Sequence, residues 1–382
     1  MFRHFKLSLA AMVMLGIGAA VVQAGKPVKP PLPPLPPVRY QVQFWTVPAV
    51  TGNVYLGDVY DTNSALQTVG SCWIDTNGDG YTDETHAYLY DPIQDADFAV
   101  DLNSVVLGIP VVSGIPAGWS IRKATAINEN RQIVAYIEPI AAPLTKLQPV
   151  MIDMNQTPWT MYELPDRSFT DYSLPGDIND SGDIVVRYQR NDETFGHYVF
   201  NFDPLFSFNF DPSTGDPSPL DLGIVTSLGN HPRINNVREI VGTEGSVDGY
   251  RLTLGGPLER FAGLLPFSLN EDGAFCGVAT VKRANYGFVY STSLELISGL
   301  GGARDLNMSR DVVNAQYLYH PTYGRLSVKD LLDPVDPDSS RIVLSGDLHC
   351  QTMTDRMLGT NFPVLTGSYQ GIGVQFLPVP AP

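Results

Sequence analysis

The chain is poor in cysteine, histidine and charge, and its one long apolar run lies at the N-terminus. Three cysteines, Cys72, Cys276 and Cys350, are too few for a disulfide scaffold. No CxxC or Cys/His spacing suggests zinc, so burial as ordinary apolar side chains is expected. A Cys72–Cys350 bond stays open if the chain closes into a ring. Motifs that carry chemistry are also missing: there is no HExxH, no GxSxG and no glycine-rich phosphate loop. No catalytic residue can therefore be assigned, and an enzyme is the less favoured class. Helical periodicity is nearly absent. Charged residues make up 17% and aromatics 10%, which suits a packed, β-rich protein.

The N-terminus has the pattern of an export signal. A short basic region, Met1 to Lys6, precedes an apolar run from Leu7 to Val22 and the small-residue pattern Val22-Gln23-Ala24. Residues 1–24 are expected to be a signal peptide, with a membrane anchor as the alternative. That run is short for a span of ~20 residues, and no later stretch is apolar enough to cross a bilayer. The expected location is secreted, extracellular or periplasmic, without membrane insertion once the signal is removed. Residues 25–38 hold seven prolines and read as a polyproline II linker, or as a segment for a partner's aromatic groove. The leader carries two basic residues and no acidic ones, which leaves 22 Lys+Arg against 40 Asp+Glu, a net −18. That charge argues against nucleic acid and fits cation binding.

What is present is a repeat. Its copies are "VYDTNSALQTVGS" from Val59, "ATAINENRQIVAY" from Ala124, "PGDINDSGDIVVRY" from Pro175, "HPRINNVREIVGT" from His231, "PFSLNEDGAFCGV" from Pro266 and "ARDLNMSRDVVNA" from Ala303. A degenerate copy, "SGDLHCQTM", starts at Ser345. Each reads as strand, tight turn, strand. An asparagine opens the turn, because its side chain can bond the backbone just ahead. These residues are Asn63, Asn128, Asn179, Asn235, Asn270 and Asn307, with His349 in the last slot. Three residues on, Gly182 and Gly273 suit a positive φ. A β-branched strand follows, then an aromatic one such as "HAYLYDP" or "HYVFNF", then often a leucine-rich one. The asparagines are 35 to 65 residues apart. Four strands at periods of ~40–50 are the mark of propeller blades. The expectation is an all-β, single β-propeller over 39–379 with seven four-stranded blades. Six blades is the runner-up, and a β-sandwich or two β domains the alternative. The opening strand "RYQVQFWTV" and the closing "GVQFLPV" can complete one blade together.

The segments "DLNSVV…GIPAGWSIRKATAINENRQIVAY" and "DINDSGDIVV" resemble the HAF family of bacterial extracellular repeat proteins over about residues 39–370. The resemblance implies export and a propeller-like repeat domain. It implies no catalytic residues.

The stretch 75–84, "DTNGDGYTDE", departs from the repeat. Oxygens of Asp75, Asn77, Asp79, Tyr81 (carbonyl) and Asp83 alternate along it, with Gly80 at the sharp turn. That order matches the first half of an EF-hand loop. The position of the bidentate glutamate is His86, however, and the flanks read as strands, so an EF-hand is not expected. The pattern also resembles the hairpin calcium loops of integrin α-chain propellers. Carboxylates held this close repel one another, and a hard cation relieves that. Structural Ca2+ is therefore expected, with a solvated acidic turn as the alternative.

Arginine fills the turn's glycine slot in three copies: Arg131, Arg238 and Arg310. In a propeller these would share one face and could hold an anionic ligand such as an acidic glycan, unless arginine is merely tolerated in an exposed turn. His86, His197 and His320 sit beside aromatic strands and read as blade-surface or packing residues. The classes that remain are a secreted binding or structural module for an extracellular glycan or protein, a polysaccharide-active lyase or hydrolase using the central channel, and a surface adhesin on a proline-rich stalk.

Overall fold

A computed structural model describes residues 36–381 except 49–52, 107, 144–145, 165–171, 190–194, 202–219, 223–231, 245–246, 343–347 and 358–359. The expected leader and most of the linker lie outside the described residues.

The chain is a seven-bladed β-propeller. Six blades are four-stranded sheets and one is five-stranded. Blade 1 runs from Asn53–Thr62 through Thr68–Asp75 and Glu84–Tyr90 to Val100–Asp101. Blade 2 starts at Trp119–Ile127 and gains Val112–Ser113, which pairs in parallel with Trp159–Glu163 as a fifth strand. Blades 3, 4, 5 and 6 open at Ser173–Ile178, Arg233–Ile234, Leu264–Leu269 and Asp305–Leu306, and each continues as an antiparallel meander. Blade 7 takes Leu348–Arg356, Pro363–Tyr369 and Ile372–Pro380 from the C-terminal part and its outermost strand, Val38–Trp45, from the other end. The register runs from Val38 opposite Pro380 to Trp45 opposite Gly373. The two ends thus complete one blade and close the ring.

Each blade is buried on both faces by its neighbours, which explains the unbroken β-branched runs. Ile184 and Val186 pack on Ala126, Val134 and Met151 of blade 2, while Val185 between them packs on Ile234, Ile240 and Tyr250 of blade 4. Alternation along the strand sends successive side chains to opposite faces. Each such side chain, fully buried, contributes roughly 1.5–3 kcal/mol. At the seam, Trp45 stacks on Tyr90 of blade 1 with ring centroids 4.5 Å apart.

In blades 1 to 6 the repeat asparagine stands between the first and second strands. Its Oδ1 accepts the N–H four residues on: Gln67, Gln132, Asp183, Glu239, Ala274 and Asp311 in turn. The residue before each of these closes the turn with positive φ. It is Gly182 (77°) or Gly273 (76°), but also Leu66 (65°), Arg131 (59°), Arg238 (64°) and Arg310 (62°). At Gly273 a side chain would also run into the Glu239 carboxylate of blade 4.

The seventh copy differs from its expectation. His349 lies within the first strand of blade 7, opposite Ser368, and not in a turn. The place of the asparagine belongs to Thr354. "FPVLTG" is accordingly the second strand of its blade, not the third. The local resemblance of "DLH" to "DLN" outweighed the true spacing, because this blade's fourth strand comes from the N-terminal side. The open Cys72–Cys350 bond is also absent: all three cysteines are buried and free.

Candidate functional site

Three features stand out: the turns, the channel they surround, and the acidic loop at the opposite end of blade 1.

The turns form a hoop. The Nδ2 of each asparagine donates to the carbonyl of the corresponding residue in the next blade: Asn63 to Asn128 (3.3 Å), Asn128 to Asn179 (3.0 Å), Asn179 to Asn235 (2.9 Å), Asn235 to Asn270 (3.0 Å), Asn270 to Asn307 (3.1 Å) and Asn307 to Thr354 (3.3 Å). A second row lies one residue further on. The N–H groups of Ser64, Glu129, Asp180, Asn236 and Met308 donate to the side chains of Glu129, Asp180, Asn236, Glu271 and Asp355 in the following blades. One residue type, repeated, both closes each turn and ties it to its neighbour.

The arginines of the glycine slot do share this face. Arg238 grips Asp183 of blade 3 through Nε (2.8 Å) and Nη2 (3.0 Å), a two-pronged pair in which Asp183 is buried. In the preceding blades the positions equivalent to Asp183 are Gln67 for Arg131 and Ala274 for Arg310, neither of them a carboxylate. No ion pair of Arg131 or Arg310 is found among the described residues. The face therefore holds one clamped arginine and two without such a clamp.

The first strands surround a channel with a cavity of about 220 Å³, lined by Asp61, Asp177, Arg233, Ser268 and Asp305 among others. Each aspartate stands two residues before a repeat asparagine, and each bridges two blades. One oxygen takes the N–H of its own next residue, Thr62, Ile178 or Leu306. The other takes an N–H of the following blade, Ile127, Ile234 or Met353. Arg233 sits among them, 3.8 Å from Asp177. Burial first, then the negative charge of Asp177, pushes the Asp61 carboxyl up to about 7. Burial raises Asp177 and Asp305 as well, against the pull of Arg233. The sequence carried a signal for these residues, since "DTN", "DIN" and "DLN" recur at blades 1, 3 and 6.

The acidic loop joins the second and third strands of blade 1, at the end away from the turns. Asp75 is buried at its base and curls the chain around itself: its two oxygens accept the N–H groups of Gly78 (2.6 Å) and Gly80 (3.0 Å). Both glycines have positive φ, 78° and 85°, which residues with a Cβ rarely adopt. Burial acts to raise the Asp75 carboxyl. The N–H groups of Gly80 and Gly78 and the Asn53 amide outweigh it and hold that carboxyl below the usual range. Asn77 and Asp79 each accept an N–H two residues ahead, from Asp79 and Tyr81. Asp83 closes the loop by accepting from Thr76 N–H (2.8 Å) and from Asn77 Nδ2 (3.3 Å). Tyr81 is exposed. Among the described residues, no three acidic, histidine or cysteine side chains stand close enough to hold an ion by themselves.

The histidines beside the aromatic strands lie where packing residues would. His197 is buried with its Nδ1 2.6 Å from the Tyr250 hydroxyl, and His320 stacks on Phe362. His86 is clamped by Asp101 (2.8 Å) and Glu84 (3.1 Å). Burial lowers its pKa, but the Asp101 bond and the two negative charges more than reverse that, so it stays protonated to higher pH than a free histidine.

No protein-family model matches the chain, and no curated protein matches it. Solved structures do. The β-propeller domain of the Trilobed protease from Pyrococcus furiosus is 11% identical over 84% of this chain and 97% of that one, with a TM-score of 0.47. A Trypanosoma rangeli sialidase is 7% identical over 86% of this chain and 55% of that one (TM-score 0.42). The six-bladed, fucose-recognising Aleuria aurantia lectin is 9% identical over 68% and 77% (TM-score 0.34). These neighbours share the propeller fold, and at such identities they carry no argument about chemistry.

Proposed function

We propose that this chain is an exported binding module of the HAF-like repeat type, whose first blade carries a calcium-braced hairpin and whose ligand is an acidic glycan or a surface partner. The observation that supports it is the acidic loop: a buried aspartate with the chain wrapped around it, followed by alternating oxygen-bearing positions. The donor set suits a hard cation, because Asp75, Asn77, Asp79, Asp83 and the Tyr81 carbonyl offer oxygen only. The carboxylates alone do not make the site, so the Asn77 and Tyr81 oxygens have to complete it. When bound, the cation neutralises the loop and pins the hairpin; the residues themselves set its curl. An anionic ligand on the turn face would engage Arg131 and Arg310, since Arg238 is held by Asp183.

Calorimetric titration with Ca2+ tests the loop. The expected affinity is roughly 10⁻⁴–10⁻³ M or somewhat tighter, the extracellular range. Replacing Asp79 and Asp83 together by alanine should abolish the heat and leave the metal-free melting temperature within a degree or two. An unmodified chain that takes up no Ca2+ at 10-millimolar levels (about ten times the weak end of that range) would end the calcium reading.

The second reading, a polysaccharide lyase or hydrolase, draws on the raised carboxyl of Asp61 in the channel. A glycan array followed by product analysis separates the two: a binding module retains its glycan uncut.

A further inference from the structure

Arg187 is the one arginine among the described residues that is buried, at 3% exposure. It lies on the second strand of blade 3 (Asp183–Gln189), opposite Leu174 on one side and His197 on the other. Its surroundings are aromatic. The guanidinium carbon is 5.1 Å from the centre of the Phe195 ring, and the Phe195 and Tyr172 rings are 5.9 Å apart. Tyr172 shares a hydrogen bond with it, and Tyr136 of blade 2 completes the surroundings. Nε and Nη1 have no acceptor among the described residues. Burial pulls its pKa down, and the groups that pull it up are the two tyrosines, not a carboxylate.

This is out of keeping with the rest of the chain. Arg356 has Asp311, Arg238 has Asp183 and Arg122 has Glu138, and in each pair the carboxylate is buried. Acidic residues outnumber basic ones by 40 to 24, yet none among the described residues is paired with Arg187. A cation out of water without a counter-charge is costly, and a ring face and one hydroxyl offset only part of that.

We propose that Arg187 is an anion-receiving group of this propeller, separate from the turn-face arginines, taking a single carboxylate at the boundary of blades 2 and 3, away from the asparagine turns. One uncompensated positive charge calls for a monoanion. The idle N–H groups of a planar guanidinium suit a planar carboxylate, with Tyr172 beside it. A dianion would leave a charge over. The proposal deepens the acidic-glycan reading of the binding module and rests on it, but not on calcium.

Thermal melts of the full chain test this at fixed ionic strength, with chloride exchanged for acetate, for sulfate or for oligogalacturonate, on the unmodified chain and on Arg187→Met and Arg187→Lys. In the unmodified chain a carboxylate should raise Tm saturably over chloride, by about 2–4 °C or more near saturation. Sulfate should do less. Acetate and the oligosaccharide acting alike points to any small acid, and a response at far lower oligosaccharide concentration points to the glycan. Arg187→Met should lose the rise and melt in chloride at or above the unmodified chain. Arg187→Lys should keep part of the rise. The proposal falls if carboxylate and chloride melts coincide in the unmodified chain, if Arg187→Met keeps the full rise, or if it melts several degrees lower in chloride, which would make Arg187 a structural cation. Should Arg187→Met not fold, the unmodified chain and the lysine variant decide alone. Adding Ca2+ or EDTA reads the blade 1 loop separately, so either proposal can fail without the other.

Discussion

The two ends of the blades are built on different principles. At the turn end, six blades repeat one device, an asparagine that closes its own turn and donates to the next. At the other end the described features differ from blade to blade: blade 1 carries the acidic loop and the His86 clamp, and blade 3 buries an arginine. A ring of small sheets must join each blade to its neighbours in the same way, because no blade is stable alone. The end that does the joining is therefore constrained to repeat, and the other end is free to diverge. Substitutions at the repeat asparagines should cost stability and leave ligands alone, and substitutions at the far end should do the reverse.

The largest expected effect is at the hoop. Asn179 is buried, accepts the Asp183 N–H at 2.8 Å, and donates to the Asn235 carbonyl at 2.9 Å. Asn179→Ala leaves that donor without its partner inside the protein, at about 2–4 kcal/mol, read as a lower denaturant midpoint. Asn235→Ala keeps the backbone carbonyl that accepts from Asn179, so the two changes share no bond, and a double variant departs from the sum of the single losses only through coupling along the hoop. Additive losses would mean that each turn stabilises its own blade and the hoop is incidental. Ca2+ affinity should not move in either variant.

Next is the seam-side blade, which lost its asparagine but kept a charged tie. Arg356 grips Asp311 of blade 6 through Nε and Nη2, both at 2.8 Å, and Asp311 is fully buried. Arg356→Ala leaves that carboxylate without its cation and should cost about 2–3 kcal/mol. Arg238→Ala removes the same kind of bond from a guanidinium about half exposed, 52%. Water screens that pair, so the loss should be at most about 1 kcal/mol. Equal losses would show that the seventh blade is joined no differently from the fourth.

The contrast between the ends also explains what was legible in the sequence. The bond that closes each asparagine turn is local, running to a residue four positions on, so the repeat, the strand order and six of the seven blades could be read from "IN" and its spacing. The seam was legible as alternating strands at both ends. The seventh turn was not, because a threonine, Thr354, stands in the place of the asparagine, and the nearby "DLH" at His349 resembles the motif more closely. The channel aspartates were visible as "DxN", but their raised protonation depends on three blades meeting and cannot be seen in one copy. Arg187 gave no signal at all. Its meaning lies in the absence of a partner, and a sequence shows only what is present.

An effect of pH rather than of a single contact is expected in the channel, near the turn end of the first strands. Because the folded state holds the Asp61 proton up to about 7, and the unfolded chain releases it near the ordinary carboxylate value of about 4, the folded state binds more protons between those limits. Stability should then fall as pH rises from 4 to 7, the reverse of an aspartate in a salt bridge, with a slope of at most about 1.4 kcal/mol per pH unit. Asp61→Asn keeps an oxygen for only one of the Thr62 and Ile127 N–H groups, which donate to different oxygens, and removes the titration. Its melting temperature should change less between pH 5 and pH 8 than that of the unmodified chain. Parallel pH profiles would mean that Arg233 already neutralises the cluster, and that the raised carboxyls carry no cost for the ring to relieve by taking up a proton.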